Sequence, residues 1–107
     1  MKTIQKVFDY YCQLNKAVSM PIAKFFDDSD PNNPKFSIKN FKLDENTVKA
    51  LACLIPFLVD INEVELKNNQ MLDSVSGAIV LACFANPSLK RITITYNFMR
   101  MSFSRTL

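Results

Sequence analysis

Apolar residues recur at steps of three and four near the start of the chain, at Ile4, Val7, Phe8, Tyr11, Leu14 and Val18. That period places all six on one side of a helix, so residues 2–18 are predicted helical. Pro21 follows a short break, and its fixed φ suits the opening turn of a second helix over Ile22–Phe26. The stretch DDSDPNNP, residues 27–34, reads as a loop, because aspartate, asparagine and proline favour turns. From Phe36 the pattern changes. Phe-Ser-Ile alternates as a strand does, and an apolar, helix-like run occupies roughly Asn46 to Leu58.

Comparing the chain with itself exposes a period. Ile61, Val64, Leu66, Asn69 and Met71 are matched by Leu89, Ile92, Ile94, Asn97 and Met99, each at an offset of 28 (89 − 61). One further step back reaches Phe36, Ile38 and Leu43, apolar where Val64, Leu66 and Met71 stand. The register runs on into the helical segments, where Leu51 falls under Ile79 and Ala50 under Ala78. A period of this length marks a repeated supersecondary unit, which cannot bury its apolar face alone.

The segments INEVELKNNQM and LKRITITYNFM resemble the LxxLxLxxNxL signature of leucine-rich repeats. The period and the intervening Asp73, Gly77, Ala78, Ile79, Ala82, Asn86, Pro87 and Leu89 are similar to the ribonuclease-inhibitor type of that family. The similarity covers about residues 36–107. It departs at Phe41, where the first copy should carry asparagine, and at Val75, where glycine is frequent in the family. The resemblance implies an α/β leucine-rich-repeat solenoid of about two and a half repeats, over roughly 36–60, 61–88 and 89–107. Residues 1–35 would form an N-terminal helical cap and loop, shielding the first repeat with Phe8, Tyr10, Tyr11, Phe25 and Phe26.

Strand alternation then assigns the faces. Val64, Leu66, Ile92 and Ile94 point inward, and the return helices bury Leu51, Leu54 and Ile55, then Ile79, Val80 and Cys83. Lys35, Ser37, Lys39, Glu63, Glu65, Lys67, Arg91, Thr93 and Thr95 are expected on the solvated concave face, the candidate partner-binding surface. Asn69 and Asn97, at the turns after two strands, are expected to be structural ladder residues whose amides satisfy backbone groups leaving the sheet. Asn86-Pro87 should end a helix, since the residue before proline disfavours the helical region.

Composition narrows the chemistry. The 107 residues suit one domain, and the absence of histidine removes imidazole as base, proton shuttle or zinc ligand. A single glycine, Gly77, is too few for phosphate-cradling loops or dinucleotide fingerprints. Ser74, Ser76 and Cys83 have no histidine to activate them, so no catalytic residue and no cofactor are expected. Asp27, Asp28 and Asp30 lack the glycine and distal glutamate of a calcium loop, so no metal site is expected either. Cys12, Cys53 and Cys83 form an odd set without CxxC spacing. They are expected as reduced thiols, Cys53 and Cys83 shielded within apolar helix runs.

The longest apolar stretch, Ala50 to Val59, is interrupted by Pro56 and falls well short of the ~20 residues of a membrane span. With no leader-like segment, an intracellular, cytoplasmic protein without membrane association is expected. Met101, Phe103 and Leu107 crowd the end of the chain with Phe98 and Met99. An apolar, open C-terminal edge with Ile92–Thr95 unpaired is therefore expected to meet another protein subunit. Function is read as a protein-interaction or scaffold module within a larger assembly. The resemblance implies roles such as cytoskeletal or ciliary complexes, ubiquitin-ligase adaptors or innate sensors. The alternative is a basic, nucleic-acid-associated subunit of a ribonucleoprotein. It rests on a net charge of +3 and on Lys90, Arg91, Arg100 and Arg105 near Tyr96, Phe98 and Phe103.

Overall fold

Helix α1 spans Lys2–Leu14 in the computed structural model, which describes residues 2–69, 73–95 and 100–104. It stops four residues before the hydrophobic period does. Lys16 takes a left-handed φ of 56°, and two reversed bonds close the end: Ala17 N–H to the Cys12 carbonyl at 2.8 Å and Lys16 N–H to the Gln13 carbonyl at 3.3 Å. Val18 therefore lies outside the helix and is exposed. The second predicted helix is also corrected. Only a 3₁₀ turn forms, Ala23–Phe25, and the chain then extends as strand β1, Phe26–Asp27. Phe26 pairs with Phe36 across an antiparallel ladder, and their rings meet edge-on at 5.0 Å. Those contacts hold Phe26 extended where its local pattern suggested helix.

Strand β2, Lys35–Lys39, leads through helix α2, Glu45–Leu54, to strand β3, Glu63–Lys67. Asp44 caps α2 by accepting the Thr47 N–H at 2.8 Å. Pro56 sits in the 3₁₀ turn Ile55–Phe57 that terminates it. Helix α3, Asp73–Phe84, carries the chain to strand β4, Arg91–Thr95, and strand β5 follows at Arg100–Ser104. Parallel neighbours need a crossover of a dozen or more residues, and α2 and α3 supply it.

The five strands lie in the order β1-β2-β3-β4-β5. β2, β3 and β4 are parallel, with Phe36, Val64 and Ile92 in one register and Ile38, Leu66 and Ile94 in another. The 28-residue offset is thus the spacing between adjacent parallel strands. β1 and β5 run antiparallel on the outer edges of β2 and β4.

These flanking strands correct the solenoid expectation. A stack of repeats leaves its last parallel strand open for the next unit and turns from it into a return helix. Here the chain doubles back after β4 as an antiparallel strand, with Ile92 opposite Phe103 and Ile94 opposite Met101. The protein is a small α/β domain measuring 34 × 34 × 23 Å, built on a mixed sheet with both sides of its parallel trio occupied. The same pairing corrects the expectation of an unpaired edge at Ile92–Thr95. Asn97 and the apolar Met71, Phe98, Met99 and Leu107 lie outside the described residues.

One core joins the two layers. Phe36, Ile38, Val64, Leu66, Ile92 and Ile94 from the sheet pack with Phe8 and Cys12 of α1, Val48, Leu51 and Leu54 of α2, and Ile79 and Cys83 of α3. Burying each such aliphatic side chain contributes about 1.5–3 kcal/mol. Cys53 departs from expectation: it is half-buried, whereas Cys12 and Cys83 are buried, and all three are free thiols. Among the described residues no helix is long and apolar enough to cross a membrane.

Candidate functional site

Because α1, α2 and α3 pack on the Phe36/Ile38 side, the alternate strand residues share the opposite, open face of the sheet. β2 contributes Lys35, Ser37 and Lys39; β3 contributes Glu63, Glu65 and Lys67; β4 contributes Arg91, Thr93 and Thr95. All nine therefore share one surface, but not one exposure. Glu63 and Glu65 are buried, at 5% and 6% exposure, which corrects the expectation of a uniformly solvated face. The physical cause is their place on the central strand, where Lys35, Lys39 and Lys67 surround Glu65, and Asn33 and Thr93 hold Glu63.

Glu65 is the hub. Its Oε1 accepts the Ser37 hydroxyl at 2.8 Å and faces the ammonium groups of Lys39 at 3.4 Å and Lys35 at 3.9 Å. The Lys67 ammonium meets Oε2 at 3.4 Å. Burial alone pushes this carboxyl up, but the Ser37 hydroxyl and the nearby charges of Lys35 and Lys67 outweigh it and hold the group below its ordinary value. Glu63 forms a second node: Asn33 Nδ2 donates to Oε1 at 3.2 Å, and the Thr93 hydroxyl donates to Oε2 at 3.1 Å. Asn33 brings the residue 28–34 loop onto the sheet, and Asn62 reinforces the attachment by donating to the Asn32 carbonyl at 3.0 Å.

The arrangement is stratified by charge. The Glu65 side chain is 7% exposed, while those of Lys39 and Lys67 are 48% and 45% exposed. A partner approaching the central strands meets the Lys39 and Lys67 ammonium groups before the Glu65 carboxylate, with Arg91 exposed on β4, while Asp27 and Asp28 line the cleft beside β2. Where the two-residue β1 ends, a shallow cleft of about 590 Å³ opens beside β2, between Lys39, Lys24 and the ring of Phe41. The Lys24 ammonium lies 5.1 Å from the centre of that ring.

Asparagines finish the strands. Asn40 and Asn68 adopt left-handed φ values of 56° and 53°, a region asparagine enters more readily than most residues. Asn68 Nδ2 donates to Asn40 Oδ1 at 2.8 Å. Asn69, buried at 2% exposure, donates to the Ile38 carbonyl at 3.0 Å and accepts the Phe41 N–H at 3.2 Å. Phe41, in the slot where the repeat pattern wants asparagine, thus has its own amide held by the next strand's Asn69. At the other end Asn86 donates to the Ile55 and Leu58 carbonyls at 2.7 and 2.6 Å. The anchoring amides of Asn33 and Asn62 were not among the residues singled out from sequence, and Asn86 was read as a helix end and a signature residue, not as an anchor. A signal existed for one of them: Asn86 and Leu58 are 28 apart, as are Ser37 and Glu65, so the period itself names register partners.

The remaining candidates do not converge on chemistry. Asp27 accepts the Ser29 N–H at 3.0 Å and Asp30 the Asn32 N–H at 3.0 Å, so both serve the loop's own turns. Among the described residues no three histidine, cysteine or acidic side chains gather as a metal site. Ser74 and Ser76 lie in α3, with side chains outside the described residues, as are those of Arg100, Met101 and Phe103 in β5; Tyr96 and Arg105 lie outside them altogether. Burial raises the Cys83 thiol to about 12, which leaves no thiolate near neutral pH. No family model matches this sequence, and neither a curated protein nor a solved structure matches it, so the leucine-rich-repeat resemblance finds no counterpart there.

Proposed function

We propose that the chain is a protein-interaction module that docks an acidic protein segment on the open face of its sheet. The observation that carries this reading is the stratified charge around Glu65, with its carboxylate beneath and the Lys39 and Lys67 ammonium groups outward. Complementary charge of this kind steers and orients a partner more than it tightens binding. Arg91, exposed at the far side of the same face, adds a residue type enriched at binding hot spots. Phe41 and Lys24 at the cleft supply an apolar contact beside a cation.

The nucleic-acid alternative draws less support from the same geometry. The nine face residues include no aromatic side chain on which bases stack.

Fluorescence anisotropy with a labelled peptide of mixed glutamate and leucine, set against single-stranded RNA of equal length, tests the proposal. The peptide should bind, and Lys39→Gln combined with Lys67→Gln should weaken it by about tenfold, the equivalent of ~1.4 kcal/mol. RNA bound more tightly than peptide, with affinity falling steeply between 50 and 200 mM salt, would replace the proposal with the ribonucleoprotein reading. Binding of neither probe would refute it.

A further inference from the structure

A second cavity, of about 440 Å³, opens at the end of the sheet where β2 and β3 begin. Its apolar walls come from separate segments: Ile4 in α1, Phe26 in β1, Pro34 just before β2, and Leu58 and Ile61 in the connection from α2 to β3. β1 holds only two residues, so the chain leaves the sheet edge at Asp28 and returns at Pro34. On the other side Asp60 takes a left-handed φ of 62°, between the buried Leu58 and Ile61. The volume lies within the roughly 300–1,000 Å³ of small-molecule sites, which combine apolar walls with a few polar groups.

Those polar groups are mostly of one sign. Asp27, Asp28 and Asp60 line the cavity against a single ammonium, that of Lys35, which already faces Glu65 at 3.9 Å. Asp28 and Asp60 are exposed and enter no ion pair among the described residues. Asp27 differs from them. Its Oδ1 accepts the Ser29 hydroxyl at 2.6 Å and the Ser29 N–H at 3.0 Å, so it belongs to the loop's own turn. In a chain of net charge +3, the cavity thus carries a local excess of negative charge beside an apolar surface.

We infer that the cavity binds a small apolar amine, with its hydrocarbon body against Ile4, Phe26 and Ile61 and its ammonium group at Asp28 and Asp60. Charge complementarity selects this occupant. An apolar acid would bring a carboxylate towards three others, and a neutral molecule would gain nothing from them. Both aspartates stay in contact with water, so each contributes no more than a surface ion pair and discriminates among ligands more than it tightens binding. The inference stands apart from the reading of the Glu65 face.

Three probes that share a naphthalene body and differ in charge test it: naphthylmethylammonium, neutral naphthylmethanol and naphthoate. Binding to the intact chain is followed by nitrogen–proton correlation NMR. The ammonium probe should bind with a Kd of about 0.1–1 mM, within reach of a ligand of about a dozen non-hydrogen atoms. Its shifts should centre on the amides of Ile4, Phe26 and Ile61 and spare Thr93. The alcohol should bind about fivefold more weakly, and naphthoate at least about tenfold more weakly. Asp28→Asn combined with Asp60→Asn should lower the ammonium probe to the alcohol's affinity. The fold should survive, since both residues are exposed and asparagine accepts the left-handed φ at position 60. Val59→Lys, at an exposed position on the same rim, should narrow the gap between the ammonium probe and naphthoate. Lys39→Gln with Lys67→Gln should change neither affinity, which separates this test from that of the sheet face. No binding of any probe, equal affinity for all three, ammonium binding unchanged in the double aspartate variant, or shifts centred on the sheet face would each overturn the inference.

Discussion

Replacing Glu65 by alanine separates a solvated sheet face from an integrated network. A solvated glutamate contributes almost nothing, and such substitutions stay within about 0.5 kcal/mol. In the fold Glu65 accepts a 2.8 Å hydrogen bond from Ser37, a contact to a charged group worth about 1.5–3 kcal/mol. The Lys39 and Lys67 pairs at 3.4 Å have half-exposed ammonium groups and contribute only about 0.2–1 kcal/mol each. Removing the carboxylate also leaves Lys35, Lys39 and Lys67 repelling one another. Glu65→Ala should therefore cost about 2–4 kcal/mol, or a melting temperature lower by roughly 10–20 °C in a domain of this size. Thr95→Ala, on the same face, should stay within about 0.5 kcal/mol. Urea titration at pH 7 measures both. The sign of the pH dependence follows from the depressed carboxyl. Its contribution is complete above the unfolded value near 4.3 and disappears as pH falls through the lower folded value, so the gap between wild type and variant should close in acid. A Glu65→Ala protein as stable as wild type at pH 7, or a gap that widens below pH 4, would refute the network account.

Three further outcomes follow from the same geometry. Asn86→Ala removes the amide's bonds to the buried carbonyls of Ile55 and Leu58, which keep only the Leu58 N–H and the Ser88 hydroxyl respectively, and should lower unfolding free energy by about 1–3 kcal/mol, read by thermal melting; unchanged stability would show that the amide's bonds contribute nothing net. Asp44→Ala removes the α2 cap, and a loss of about 1 kcal/mol is expected, with Asp44→Ser largely restoring it. Cys83 is buried with its thiol raised to about 12, so alkylation at pH 8 should be slow in the native protein and fast in urea, as mass spectrometry of the labelled peptides would show.

Several features of this protein were legible without coordinates. Alternation at Phe36/Ile38, Val64/Leu66 and Ile92/Ile94 identifies buried strand faces, because a strand's side chains change side at every residue. The offset of 28 anticipates that these pairs are register neighbours, since equal chain lengths between parallel strands repeat the same crossover. The grouping of the nine polar strand positions on one face follows from the same alternation. Tertiary structure alone decided the rest. Phe26 is extended because Phe36 pairs with it, a contact that no local window contains. The antiparallel β5 overturns the open solenoid because it depends on a pairing with β4, which the repeat pattern does not encode. Glu65 differs from a solvated glutamate through Ser37, Lys35 and Lys39 on the adjacent strand, together with Lys67 on its own. Periodicity records which side a residue faces; burial and charge pairing depend on what crosses over it from another strand.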